Sequence, residues 1–179
     1  ETYAYIHGLG RTIVKISEAD LTHDGTEWIA EGLTDYDAKG APRRKYLAWA
    51  YGAEPDHFNL STQPAVAYGQ QRYDAFCRAI ETRWLDGTIT LKTRYHALSA
   101  DAWDAEDLGP GPHQGTYASE VKDGHGRVVR TTERVGTAAA IQQRHVDTAY
   151  LPTGEVSSLT RTDGTAVVSR KMTYDTLGH

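Results

Sequence analysis

One recurring frame constrains the fold more than any bulk property. An aromatic residue and an aspartate are followed by two variable residues, a glycine and an arginine, and then by a run alternating between apolar and polar. The clearest copy is Lys122–Val135, "KDGHGRVVRTTERV". Related segments begin at Ile6 ("IHGLGRTIVKI"), Tyr36 ("YDAKGAPRRKY"), Tyr73 ("YDAFCRAIETRW"), Tyr95 ("YHALSA"), Tyr150 ("YLPTGEVSSLTRT") and Tyr174 ("YDTLGH"). Their spacing ranges from 22 residues (Tyr73 to Tyr95) to 37 (Tyr36 to Tyr73), too irregular for a strict solenoid.

Each position in the frame has a physical task. The aspartate carboxylate accepts a backbone N–H two residues on, forming an Asx-turn. The glycine supplies the positive φ of a sharp corner. After the corner, Val128, Arg130, Thr132 and Arg134 point one way and Val129, Thr131, Glu133 and Val135 the other, the period of a strand. The residues that carry the frame are Gly10 and Arg11; Tyr36, Asp37 and Gly40; Tyr73, Asp74 and Arg78; Asp123, Gly126 and Arg127; and Tyr174, Asp175 and Gly178. All are read as structural.

Asp-Gly-Thr at Asp24, Asp86 and Asp163 adds an interleaved signal, and at the last two sites Asp-Gly separates alternating runs as a hairpin tip does. The expected fold is therefore all-β, an irregular array of antiparallel hairpins over 1–179, with irregular insertions near 51–69 and 99–115. Val135–Tyr150 competes with this reading, because its alanines and glutamines favour a short helix.

The formal charge of -5 gives no basic footprint for nucleic acid. The single cysteine, Cys77, allows no internal disulfide and is expected to be buried. No apolar run approaches the roughly 18 residues of a membrane span. The start lacks a basic region followed by an apolar one and an initiator Met, so the chain reads as a piece of a longer protein without membrane insertion of its own.

Candidate chemistry is sparse. Eight histidines include no His-x-His or His-Glu-x-x-His ligand spacing, and His7, His96 and His125 fall in turns. "GHGR" and "GLGR" lack the rest of a phosphate loop. Asp101, Asp104, Glu106 and Asp107 form one acidic cluster over 101–107, but without the glycine and ligand pattern of an EF-hand it reads as a solvated loop. Tyr5, Tyr36, Tyr73, Tyr95, Tyr150 and Tyr174 would either form a sugar-binding strip or, the favoured reading, pack between strands. No Gly-x-Ser-x-Gly elbow marks a nucleophile. No catalytic residue, metal site or cofactor is expected.

"YDAFCRAIETRWLDGTITLKTRYHAL" and "VSRKMTYDTLGH" resemble the YD repeats of bacterial RHS proteins. "IHGLGRTI" followed by "WIAEGLTDYDAKGAPRRKYLAW" is similar to the SpvB-like B component of ABC-type (Tc) toxin complexes. The chain departs from that pattern at Cys77 and Ser99, where the family prefers Gly, and at His96 and Leu151, where it prefers Asp. The family's paired Asp-Pro-x-Gly self-cleavage segments are absent. The resemblance implies a non-enzymatic segment of a spiralling β shell that encloses a toxic polypeptide. Its partners would be the remaining RHS shell segments and the encapsulated toxin. Its location would be secreted or cell-surface, as part of a larger bacterial protein. The rival reading is a cell-surface adhesin or glycan-binding module built from the same repeats.

Overall fold

The computed structural model describes residues 1–59 and 64–175. Strands account for 53% of the described residues and helices for 5%, so the molecule is the all-β antiparallel hairpin array that the alternating runs require. The chain divides into two compact units, Glu1–Ile89 and Thr90–His179.

In the first unit the elements are, in chain order, β1 (Thr2–Ile6), β2 (Thr12–Glu18), α1 (Leu21–Asp24), β3 (Trp28–Glu31), β4 (Thr34–Tyr36), β5 (Pro42–Tyr46), β6 (Trp49–Ala50), β7 (Tyr68–Tyr73) and β8 (Ala79–Arg83). One sheet runs β1-β2-β3-β6, and β8-β7-β5-β4 follow one another in a second, all antiparallel. Central strand β2 carries the core. Val14 and Ile16 are fully buried, and Ile13, Ala30, Leu33 and Tyr46 complete the cluster. Aromatic rings surround it: Tyr3 meets Trp28 edge-on at 5.7 Å, and Tyr5 packs against Phe58 at 5.3 Å. The Tyr5 hydroxyl donates to the Pro55 carbonyl and accepts from Phe58 N–H at 3.1 Å. Those bonds tether the described part of the 51–69 insertion to the sheet.

The second unit contains β9 (Ile89–Tyr95), β10 (Ser99–Asp104), α2 (Ala105–Leu108), β11 (Ala118–Lys122), β12 (Val128–Thr137), β13 (Ala140–Tyr150), β14 (Val156–Asp163) and β15 (Ala166–Lys171). They form an antiparallel meander in which each strand pairs with the next. Two expectations are corrected here. Val135–Tyr150 is the β12–β13 hairpin, because Thr137↔Ala140 and the pairs below it supply cross-strand partners that outweigh the helix propensity of the alanines. The 99–115 insertion begins as strand β10 and becomes irregular only beyond α2.

No described residue of this second unit is buried. Its sheet is a single layer, held by ladder hydrogen bonds and by side chains directly opposed across strands. Opposed residues share a face. Arg94, Asp101, Ser119, Thr132, His145, Thr162 and Val167 form one cross-strand row. Tyr95, Ala100, Glu120, Thr131, Val146, Arg161 and Val168 form the corresponding row on the other face.

Candidate functional site

The repeat corners share one backbone geometry. At His7, Asp37, Asp74, Trp84, Asp123 and Leu151 the first residue donates N–H to the carbonyl four residues on, and the fourth residue donates back to the first. This pattern describes a three-residue hairpin loop, a type I turn closed by a residue in the left-handed region. That residue is Gly10 (φ 77), Gly40 (φ 79), Cys77 (φ 61), Gly87 (φ 85), Gly126 (φ 80) and Gly154 (φ 109) in turn. Trp84–Thr88 was not among the expected copies. Asp86-Gly87, expected at a hairpin tip, does lie at one, where it fills the third and fourth positions of a corner. A glycine three residues after an aromatic residue was the available signal. Of the Asp-Gly pairs, Asp163-Gly164 alone lies at a two-residue tip, where Asp163 faces Ala166, and Gly25 instead caps α1 with φ 68.

The aspartates brace the corners. Asp37 accepts the N–H groups of Lys39 and Ala41, both at 2.9 Å. Asp74 accepts those of Phe76 and Arg78 at 2.8 and 3.0 Å, and Asp123 those of His125 and Arg127 at 2.9 and 3.0 Å. Their second oxygens receive the Nε of Arg78 at 2.7 Å and of Arg127 at 2.8 Å. Desolvation pushes both carboxyls up, but the backbone N–H and guanidinium donors outweigh it, and both lie below the ordinary aspartate range.

A carboxyl depressed in the folded state contributes stability above its unfolded pKa, near 3.9, and loses it as pH falls through the lower folded value. Melting temperature is therefore expected to drop as pH falls below about 4. The Asp74→Asn/Asp123→Asn protein should melt lower at neutral pH and show a shallower acid slope in circular dichroism melts.

Tyrosines and arginines join one corner to the next. Tyr73, Tyr150 and Tyr174 donate their hydroxyls to the carbonyls of Pro42, Val128 and Val156, at 3.0, 2.8 and 2.9 Å. Each acceptor is the first residue of the strand leaving the preceding corner. Arg127 lies over the Tyr150 ring at 4.6 Å and Arg11 over Tyr36 at 5.3 Å, so each arginine covers the aromatic residue of the following repeat. Ala41 occupies the arginine position of its own corner, and there Arg11 Nη1 donates to the Gly40 carbonyl at 2.6 Å. Lys39 Nζ extends the chain of contacts to the Ala75 carbonyl at 2.6 Å. Of the predicted frame residues, Gly178 lies outside the described residues, and the expected Tyr174–Gly178 copy is described only as far as Asp175.

The departures resolve differently. Leu151 keeps the backbone pattern without a carboxylate, because Gly154 supplies the positive φ. His96 to Ser99 closes as a tighter turn, with His96 N–H donating to the Ser99 carbonyl at 2.8 Å and no positive φ. Cys77 is exposed, contrary to expectation, because the corner places it at the tip. It holds the left-handed conformation at a cost of about 1 kcal/mol. Cys77→Gly is expected to recover about that amount and raise the melting temperature by a few degrees in calorimetry.

The acidic cluster is internally satisfied. Asp104 caps α2 by accepting the N–H groups of Glu106 and Asp107, at 2.9 and 3.0 Å. Asp107 accepts Asp104 N–H at 3.0 Å and the Thr116 hydroxyl at 2.6 Å. Asp101 stands on β10 and accepts the Ser119 hydroxyl at 2.7 Å. Among the described residues, no three histidines, cysteines or carboxylates are grouped to hold a metal ion.

The same fold recurs in solved Tc toxin structures. The crystal structure of TcdB2-TccC3 matches with a TM-score of 0.69 at 21% identity, over 90% of this chain and 9% of that one. TcdB2-TccC3-Cdc42 matches at 0.68 and 20%, and a Photorhabdus luminescens Tc holotoxin pore at 0.67 and 21%, each again over 90% and 9%. The chain therefore has the fold of a stretch of these complexes and spans about one-tenth of their matching chains. No family profile matches the sequence, and no curated protein is similar to it in sequence.

Proposed function

We propose that this chain is a wall segment of an RHS-repeat toxin shell of the Tc B-component type, whose work is structural and non-enzymatic. Its partners would be the neighbouring shell segments and an enclosed toxic polypeptide, in a secreted or cell-surface bacterial assembly. The observation that carries this reading is the corner row. The corners at His7, Asp37 and Asp74 in the first unit, and those at Asp123 and Leu151 in the second, are fastened one to the next by a tyrosine hydroxyl or a cation, an arrangement suited to extending a wall of strands. The coreless second unit fits the same role, since a wall one sheet thick leaves both faces half-solvated.

The glycan-binding rival draws no support from the tyrosines. The hydroxyls of Tyr73, Tyr150 and Tyr174 are engaged by backbone carbonyls, and guanidinium groups lie over the rings of Tyr36 and Tyr150 that a sugar would stack on.

The test is a graft of this chain in place of the matching stretch of TcdB2-TccC3. A closed, hollow particle in electron micrographs, with its C-terminal polypeptide protected from protease, is the expected result. Open or aggregated particles from a graft that is itself β-structured would overturn the proposal.

A further inference from the structure

On the Arg94 face of the second unit, one cross-strand row alternates cations and aromatic rings. Lys92 on β9 faces Trp103 on β10. Tyr117, immediately before β11, stacks on Trp103 with centroids 4.5 Å apart and planes at 26°. Arg134 on β12 lies over Tyr117 at 3.6 Å and donates Nη1 to the Tyr117 carbonyl at 2.8 Å and to the Ser119 hydroxyl at 2.9 Å. Lys92 and Arg94 lie over the Trp103 ring at 5.9 and 5.8 Å.

The charge of this patch is unbalanced. Asp101 stands opposite Arg94, and its carboxylate is taken by the Ser119 hydroxyl at 2.7 Å and the His96 ring at 3.2 Å. Among the described residues, Lys92, Arg94 and Arg134 take part in no ion pair. Arg130 on this face is neutralised by Asp147 at 2.6 Å, and Arg144 on the other face by Asp163 at 2.9 Å. Among the described residues, Arg161 and Arg170 on the other face take part in no ion pair either, but they flank no aromatic stack. Three cations facing one committed carboxylate, on a chain of net charge -5, form a local field of the opposite sign to the whole molecule.

We propose that this face is a docking surface for an acidic, extended polypeptide segment. Charge complementarity selects the occupant. The row crosses three inter-strand steps of about 4.8 Å, roughly 14 Å, which an extended peptide of about five residues covers at ~3.3 Å per residue. Carboxylates on alternate residues of such a peptide reach the exposed heads of Lys92 and Arg94 and then Arg134. Stacking ligands fit poorly, because Trp103 and Tyr117 cover each other and cations lie over both rings. A nucleobase or sugar therefore lacks the open aromatic platform that single-stranded nucleic acid binding uses. The surface stands on this face alone, and its test is separate from the graft that tests the shell reading.

The test is fluorescence anisotropy of a labelled oligo-glutamate about six residues long, titrated with the 179-residue chain. Saturable binding that weakens as salt rises is expected. Lys92→Gln/Arg94→Gln should weaken it about tenfold, while Arg161→Gln/Arg170→Gln on the opposite face should change it less than about twofold. Arg134 is spared in the main variant because it holds Tyr117 and Ser119. A charge-keeping Lys92→Arg/Arg94→Lys variant should retain binding, and circular dichroism checks that every variant is folded. If the double variant does not fold, Arg94→Gln alone should weaken binding about threefold. Absence of saturable binding, equal losses from both faces, or equally tight binding of a single-stranded RNA of matching charge through the same residues would overturn the proposal.

Discussion

Ile16→Ala is expected to destabilise the first unit by about 3 to 4 kcal/mol, seen in urea melts as a lower midpoint with little change in slope. Ile16 is fully buried on β2, opposite Tyr3 on one side and Ala30 on the other. Removing its outer carbons takes away their transfer free energy and leaves a cavity. Neighbouring strands cannot readily collapse into it, because both hold β2 by ladder hydrogen bonds. Ile6 provides the contrast on β1, since it is 60% exposed, and Ile6→Ala should cost less than about 0.5 kcal/mol. The difference matters to function. The described residues contain only two fully buried large side chains, Ile16 and Val14, so a large share of the first unit's stability rests on one strand. An equal loss for the two substitutions would show that this cluster is not the core.

The corners were legible in the sequence because their requirements are local. An aspartate reaching N–H groups two and four residues on, and a glycine with positive φ, are visible in any window of six residues. Asp123 with Gly126 and Asp37 with Gly40 show this directly. Leu151 shows that the glycine matters more than the carboxylate, since its corner keeps the same backbone bonds. The β12–β13 hairpin was obscured because Ala138, Ala139, Gln142 and Gln143 have good helix propensity, and the partners that override it lie on the other strand. The row of Lys92, Trp103, Tyr117 and Arg134 was not legible at all. Its members come from separate strands, and only the register brings them side by side. Tyr73 to Pro42 and Tyr150 to Val128 belong to the same class: the tyrosine is conspicuous in the sequence, but its acceptor is fixed by topology.

Gly136→Ala tests how much a coreless sheet can absorb. Gly136 sits at the end of β12 with φ 109, opposite Ile141. A Cβ there would stand 2.4 Å from the Ala140 carbonyl oxygen, a backbone atom that cannot rotate away. Relief requires moving the hairpin tip, and with it the Ala138 N–H that donates to the Pro112 carbonyl at 2.7 Å and the Gly136 carbonyl held by the His113 ring at 3.1 Å. The strained φ and the clash together should cost about 3 kcal/mol. In a packed domain part of that cost would be spread through the core. In the second unit no described residue is buried, so the loss should appear as local opening of the β12–β13 tip. Amide exchange at Ala138 is expected to accelerate about a hundredfold. Gly124→Ala is the matched control, because its φ is not positive and a Cβ would meet nothing within 4 Å. That change should be neutral or stabilising by less than about 1 kcal/mol. If Gly136→Ala left exchange at the tip unchanged, the hairpin would have to close with a different turn from the one that places Gly136 against Ala140.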